Sequence, residues 1–208
     1  MSLPYYGPKE VLPLKEGQKF ADTLYHTVPA FSFVNQNGDT ITDKKLKGTI
    51  YVADFIFTTC QSICPKMTTN LAVLQSKFTQ QDSVFLLSHT VNPSHDSVAV
   101  LKQYAAEVHA TAPFWYFLTG SKKELYDIAY KGYLLNAVQD TSAANIQNQF
   151  LHDNHVVLVD KEGHLRGIYD GTSLPEINKL IDDIHMLKAD YVRKAERKKV
   201  LDSRKSKH

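Results

Sequence analysis

The stretch that decides the fold is TIYVADFIFTTCQSICPKM, residues 49–67. It opens with the most apolar run of the chain, Thr49 to Phe57, whose length suits a central strand buried on both faces. A helix is predicted next, over 66–79, because its apolar residues recur at spacings of four, three and four. The only two cysteines of the chain, Cys60 and Cys64, lie where the strand hands over to the helix.

Alternating strands and helices continue on both sides of this stretch. A hairpin is predicted before it, with strands at 31–34 and 40–42 around a turn rich in Asn, Gly and Asp. The later strands and helices are predicted at 83–88, 97–108, 114–118, 122–130, 156–159, 165–169 and 174–200. This order predicts a thioredoxin-like α/β fold with an N-terminal hairpin and an insertion, the polar stretch 139–149, before the closing β-hairpin.

Composition excludes several classes of protein. The 208 residues are 43% hydrophobic and 22% charged, with a formal net charge of +2, which is typical of a globular domain and not of a disordered chain. Two cysteines exclude a small fold framed by disulfides. No apolar run approaches the roughly 18 residues that a membrane-spanning helix needs.

Charge is unevenly distributed along the chain. Nine basic and three acidic residues lie between Lys188 and the C-terminus, which leaves the body mildly acidic. Such a run could contact anionic lipid or nucleic acid, but without aromatic anchors we expect an ordinary solvated helix end. We therefore divide the chain into an N-terminal arm at 1–28, a thioredoxin-like domain at 29–187 and a basic C-terminal helix end and tail at 188–208.

The position and spacing of Cys60 and Cys64 favour chemistry over mere packing. Unpaired N–H groups at a helix N-terminus stabilise a thiolate, the form that attacks disulfides and binds metals. Sulfurs four residues apart on a helical face can converge on one ion, whereas C-x-x-C is the commoner redox spacing. Two thiolates favour Cu(I), with zinc as the main competitor. A disulfide, or two unrelated buried cysteines, are the alternatives.

A histidine could complete the ligand set. His152 precedes the strand predicted at 156–159, and in this topology that loop lies beside the cysteine turn. We therefore expect His152 to be the third ligand. His155, at the start of the strand, and His89 and His95, around the loop after the second core strand, are weaker candidates.

The motif F-T-T-C-x-x-x-C-P-x-M at 57–67, the later L-T-G at 118–120 and the histidine ahead of L-V-D-K-E-G together resemble the Sco/SenC family. The resemblance covers roughly residues 29–187. It implies a thioredoxin-like domain that binds copper through Cys60, Cys64 and His152. It also implies a role in assembling the CuA centre of cytochrome c oxidase.

Two positions depart from the family pattern. Gln61 stands where the family usually has proline, and Asn92 stands where it usually has aspartate. We expect the ligand set to be intact, and expect these changes to bear on copper affinity or on the choice of client protein.

The resulting functional hypothesis is a copper chaperone that delivers copper to, or matures, the CuA site. The alternative is a thiol-disulfide oxidoreductase in which Cys60 attacks and Cys64 resolves. Peroxidase chemistry is disfavoured, because it needs a Thr or Ser three residues before the attacking cysteine and Phe57 stands there. An interaction module without chemistry is the least specific hypothesis. Expected partners are the oxidase subunit carrying CuA and a thiol reductant protein, with no nucleic acid. The resemblance further implies the periplasmic side of the cytoplasmic membrane, through an N-terminal anchor absent from these 208 residues.

Overall fold

A computed structural model describes residues 2–14, 20–78, 82–135 and 154–205. Within these ranges nine strands and five α-helices form, together with one π-helical turn. In chain order they are β1 (Lys9–Val11), β2 (Thr23–Tyr25), β3 (Ser32–Asn35), β4 (Thr40–Thr42), α1 (Asp43–Leu46), β5 (Ile50–Ile56), α2 (Ile63–Lys77), β6 (Val84–Thr90), α3 (Val98–Glu107), β7 (Trp115–Thr119), α4 (Lys122–Asp127), the π-helical turn (Ile128–Gly132), β8 (His155–Val159), β9 (Leu165–Asp170) and α5 (Leu174–Lys205).

The main sheet has seven strands in the order β4-β3-β7-β6-β5-β8-β9. Strands β5, β6 and β7 are parallel to one another, and the remaining pairs are antiparallel. All seven residues of β5 are buried, which agrees with the prediction of a central strand. The sequence places this strand at the centre because its apolar run leaves no face for solvent.

Helices cover both faces of the sheet and enclose two hydrophobic cores. The first core lies between the sheet and helices α2, α3 and α5, and it includes both cysteines. The second lies on the opposite face, against α1, α4 and the π-helical turn. The predicted thioredoxin-like α/β fold is confirmed, and so is the hairpin of β3 and β4.

Several element boundaries differ from the sequence-based prediction. Helix α2 begins at Ile63 and not at residue 66. Pro65 is tolerated in its first turn, because an N–H at that position would have no partner within the helix in any case. The arm contains a small two-stranded sheet of β1 and β2 that was not predicted. Helix α5 continues to Lys205, and the predicted insertion at 139–149 lies outside the described residues. No helix in the described ranges combines the length and apolar character needed to cross a bilayer.

A buried carboxyl group interrupts the apolar character of β5. Asp54 is fully buried, and its Oδ1 accepts a hydrogen bond of 2.6 Å from Ser88 Oγ, which in turn accepts one of 2.9 Å from Trp115 Nε1. Asp54 Oδ2 has no hydrogen-bond partner among the described residues. Burial raises the pKa of Asp54 to about 7, although the hydrogen bond from Ser88 acts in the opposite direction.

We predict that Asp54→Asn makes the folded protein less sensitive to rising pH. The folded state binds the Asp54 proton more tightly than the unfolded chain does, so stability falls as pH rises between about 4 and about 7. This fall is of the order of 1.4 kcal/mol per pH unit. The variant keeps an acceptor for Ser88 and removes the ionisation.

Urea unfolding of both proteins at pH 4, 6 and 8 tests this prediction. The unfolding free energy of Asp54→Asn minus that of the unmodified protein should increase as the pH rises. Taking this difference cancels the contributions of the other titrating groups. A difference that stays constant across this range would contradict it.

Candidate metal centre

The cysteines occupy a tight turn between β5 and α2. The Cys60 N–H donates a hydrogen bond of 3.1 Å to Phe57 O, which closes the turn ahead of the helix. Cys64 is the second residue of α2. Both cysteines are free thiols, 8% and 3% exposed respectively. Only Cys60 lines a cleft, of about 400 Å³, between α2 and α3. A reactant entering this cleft therefore meets Cys60 first.

The turn puts the two sulfurs in different chemical states. Cys64 N–H points at Cys60 Sγ at 3.4 Å, and Ser62 Oγ lies 3.6 Å from the same sulfur. Burial opposes ionisation of Cys60, but hydrogen bonds from Cys64 and Ser62 outweigh it and lower the pKa of the Cys60 thiol. Burial, reinforced by the hydrogen bond to Cys60, raises the pKa of Cys64. Of the two sulfurs, Cys60 is therefore the one that ionises more readily.

The Cys60 sulfur also serves the helix. Ser62, the residue that precedes α2, makes no capping hydrogen bond with its own side chain. The Cys60 sulfur instead accepts from Cys64 N–H, one of the donors that a helix leaves unpaired at its N-terminus. The same contact therefore stabilises the start of α2 and a negative charge on the sulfur.

A buried carboxylate fixes the turn from the opposite side. Asp96 is fully buried and accepts hydrogen bonds from Thr58 Oγ1 at 2.5 Å, Thr58 N–H at 3.3 Å and Thr90 Oγ1 at 2.5 Å. Thr58 lies two residues before Cys60, and Thr90 ends β6. Asp96 thus joins the loop after β6 to the turn that carries the cysteines.

Sequence reasoning missed Asp96 and Thr58. It singled out Asn92 instead, because of the family pattern, yet Asn92 Oδ1 only accepts a local hydrogen bond from Ser94 Oγ at 2.9 Å. Asp96 stands four residues after Asn92, just before α3. An acid at that place is also what favourable interaction with the helix dipole produces, so its position gave no distinct signal.

The described histidine candidates lie in different environments, and one of them is deeply buried. His89 is fully buried in the second core. Its ring stacks on Phe55, with ring centres 5.0 Å apart, and its ring centre lies 5.4 Å from that of Tyr133. This core is on the opposite face of the sheet from the core that holds both cysteines. Burial lowers the pKa of His89 to about 4, so it is a neutral core residue at physiological pH.

The other two described candidates lie at the surface. His95 is half exposed at the rim of the turn, with Nδ1 2.9 Å from Asp96 Oδ1 and 3.4 Å from Thr58 Oγ1. His155 is exposed at the first position of β8. The predicted ligand His152 lies outside the described residues, so its role as a ligand stays a prediction.

One other group of metal-ligand residues lies close together in the described part of the chain. Ligand atoms of Asp160, Glu162 and His164 are within 4.8 Å of one another. Asp160, however, already accepts hydrogen bonds from two backbone N–H groups of this turn and from Arg166, at 2.8 to 3.1 Å. These contacts account for the cluster as a structural feature of the turn between β8 and β9.

Comparison with known proteins identifies the family. The SCO1/SenC family model matches residues 21–189. A SCO1/SenC family lipoprotein from Bacillus anthracis str. Ames is 30% identical, with 78% of this chain and 95% of that chain covered and a TM-score of 0.67.

Two further solved structures share this fold. BsSco, which has a disulfide switch and is a member of the Sco family of cytochrome c oxidase assembly proteins, is 30% identical, with 76% and 93% covered and a TM-score of 0.61. ScoI of Bradyrhizobium japonicum, solved with copper bound, is 23% identical, with 77% and 99% covered and a TM-score of 0.58. On the extent of the family match, the chain belongs to the SCO1/SenC family.

Proposed function

We propose that this protein binds copper through Cys60, Cys64 and His152 and delivers it to, or helps to mature, the CuA site of cytochrome c oxidase. The observation that carries the proposal is the pair of free thiols around the start of α2, where hydrogen bonds lower the pKa of the Cys60 thiol. Two sulfurs and one imidazole form a donor set that suits Cu(I). The membership of BsSco among oxidase assembly proteins and the copper bound to ScoI support this proposal.

The described neighbours of His152 support its part in the ligand set. Strand β8 runs antiparallel to β5, so the chain enters β8 at the sheet end where β5 leads into the cysteine turn. Gly171 is flanked by Asn154 O and by the Met67 side chain, each 3.1 Å from where a Cβ atom would stand. Asn154 follows His152 by two residues, and Met67 follows Cys64 by three. The chain next to His152 is thus held beside the first turns of α2.

Transfer of copper would proceed by exchange of ligands. Cys60, the sulfur that lines the cleft between α2 and α3, is the ligand that an incoming acceptor thiolate can replace. Cys64 is more deeply buried and would leave last. A Cys60–Cys64 disulfide has no thiolate to offer, so oxidation would release or exclude copper.

A thiol-disulfide oxidoreductase is the second candidate, favoured by the opposite pKa shifts of the two thiols. The Cys60 thiolate would attack an acceptor disulfide, forming a mixed disulfide and releasing one acceptor thiolate. Cys64 would then lose its proton and attack Cys60 Sγ, releasing the second acceptor thiol and leaving a Cys60–Cys64 disulfide. A thiol reductant protein would regenerate the pair. The disulfide switch of BsSco is consistent with this cycle.

We further propose that the protein works at the outer face of the cytoplasmic membrane, held by an N-terminal anchor. The similarity to a lipoprotein of the same family supports attachment to a membrane. The oxidase subunit that carries CuA is the proposed partner. Gln61 is exposed directly after Cys60, so it is placed to contact such a partner and to influence which client is accepted.

Copper titration tests the ligand set. We expect His152→Ala to lower the Cu(I) affinity of the reduced protein by at least about tenfold, since even groups that merely orient a metal ligand contribute 10- to 100-fold. Competition with a chromophoric Cu(I) chelator measures the affinity.

A matched variant completes the test. His155→Ala changes an exposed histidine three residues away and should bind copper as the unmodified protein does. Equal affinity of His152→Ala and the unmodified protein would remove His152 from the ligand set.

Trapping of a mixed disulfide tests the second candidate. With Cys64→Ser, a model peptide carrying a disulfide should remain covalently attached to Cys60, because the resolving thiol is missing. Cys60→Ser should form no such adduct, and His152→Ala should reduce the peptide at the unmodified rate. Failure of Cys64→Ser to accumulate the adduct would argue against thiol exchange.

Asp96 offers a test of positioning. In Asp96→Asn an NH2 group replaces one of the two accepting oxygens, so one of the Thr58 and Thr90 hydroxyls loses its acceptor and must turn to accept instead, and both lose a charged partner. Hydrogen bonds to charged groups contribute roughly 1.5–3 kcal/mol. If part of this hydrogen-bond energy is lost at the turn, the Cu(I) affinity should fall about tenfold. The ultraviolet absorbance of the Cys60 thiolate should then appear at higher pH.

Asp39→Asn is the control for removing a carboxylate outside the site, because exposed Asp39 accepts a hydrogen bond of 3.2 Å from Asn35 in the β3–β4 turn. Loss of stability in Asp96→Asn with unchanged copper affinity and unchanged thiolate titration would limit Asp96 to a structural role.

A further inference from the structure

Helix α5 extends well beyond the body of the domain. Tyr191 is the last partly buried residue of the helix among those whose burial is described. Its hydroxyl donates a hydrogen bond to Glu162 and accepts one from Lys161 N–H. From Val192 to Ser203 every residue is exposed. At 1.5 Å per residue this part of the helix is about 18 Å long.

This projecting part lies outside the family domain. The family match ends at residue 189. The match to BsSco includes 93% of BsSco but only 76% of this chain. The proposed copper chemistry therefore leaves the extension unexplained.

Three cations of the projecting part share one side of the helix. At 100° per residue, Lys194, Arg197 and Lys198 fall within an arc of about 100°, which we name the basic face. Arg193 and Asp202 each lie about 40° beyond an end of this arc, and Arg193 is already paired with Asp190. Lys199 and Glu196 lie well away from the arc, roughly 100° or more beyond its ends.

An apolar side chain lies within the basic face. Leu201 falls between Arg197 and Lys198 around the helix and is 57% exposed, and the neighbouring Val200 is 51% exposed. Basic residues around exposed aliphatic ones are typical of helices that lie on anionic bilayers, because the aliphatic groups enter the headgroup region while the cations remain at the phosphates. The described side chains of the projecting part include no aromatic ring to stack on a base, which disfavours single-stranded nucleic acid.

The N-terminal residues lie beside the root of this helix. Leu3 and Tyr191 both pack against the first core, and Arg166 donates hydrogen bonds to Leu3 O at 2.6 Å and to Ser2 Oγ at 3.3 Å. A membrane anchor preceding Ser2, as proposed above, would place the bilayer next to the start of the projecting helix. The position of the bilayer rests on the proposed membrane attachment, whereas the charge and exposure of the helix do not.

We propose that the basic face of α5 binds the surface of a membrane rich in anionic phospholipid. Phosphate groups would pair with Lys194, Arg197 and Lys198, and Leu201 would insert between the headgroups. A single-chain lipid anchor alone binds a bilayer reversibly, and a basic surface is the kind of second attachment that makes binding stable.

Vesicle sedimentation with the full chain tests this proposal. The protein should bind vesicles of phosphatidylglycerol and phosphatidylcholine but not vesicles of phosphatidylcholine alone, and binding should weaken with added salt. The triple variant Lys194→Gln, Arg197→Gln, Lys198→Gln should bind about 100-fold more weakly, at roughly fivefold per cation. Glutamine keeps a high helix propensity, and circular dichroism will verify that the helix remains.

The matched control is Lys44→Gln, Lys45→Gln, Lys47→Gln, which removes the same charge from exposed positions of the domain. It should bind anionic vesicles like the unmodified protein. Leu201→Gln should weaken binding while leaving the net charge unchanged. Equal loss in the two triple variants, equal binding to neutral vesicles, or tighter binding to a nucleic acid duplex would each overturn the proposal. Copper affinity should be the same in all of these variants, so this test and that of the copper site can fail independently.

Discussion

The site depends on a constraint at the end of β5. A strand with no exposed residue ends in a turn whose half-buried Thr58 donates from its N–H and its hydroxyl to the fully buried Asp96. Without these donors the buried carboxyl group would destabilise the fold, since a buried polar group left unpaired costs about 1–3 kcal/mol or more. Asp96 lies in the loop after β6, and it also binds Thr90 at the end of that strand. The ends of two adjacent parallel strands are thereby tied together. The backbone that presents Cys60 is held by this contact together with the hydrogen bond from Cys60 N–H to Phe57 O.

The same turn explains why two chemically identical side chains behave differently. Cys60 receives hydrogen bonds from the helix N-terminus and borders a cleft, whereas Cys64 lies within the first helical turn and faces the first core. The lowered pKa of Cys60 and the raised pKa of Cys64 follow from this arrangement. An asymmetric pair suits both candidate functions, because ligand exchange and disulfide exchange each need one sulfur that reacts first and one that follows.

Much of the fold could be predicted from the sequence. The apolar run of β5, the period of α2 and the order of later elements were sufficient for the architecture, and the cysteines stood out by their position. Asp96 could not be found in this way, because its partner Thr58 is 38 residues distant and only the parallel pairing of β5 and β6 brings them together. Likewise, the burial of His89 in the second core depends on which face of β6 it occupies, and that is set by sheet register.

The basic tail shows a different limit of sequence reasoning. Composition indicated an ordinary solvated helix end, since a count of charges does not record their direction around a helix. A continuous helix through Lys205 gives each residue a direction, and it places three cations and Leu201 together while both described acids of the projecting part fall elsewhere. The helix continues the wall of the first core, through residues such as Ile184 and Leu187, so its projection is fixed by the domain. If the basic face lies on a membrane as proposed, the angle at which α5 leaves the domain also sets the direction in which the Cys60 cleft faces, and so which approach a client protein must take.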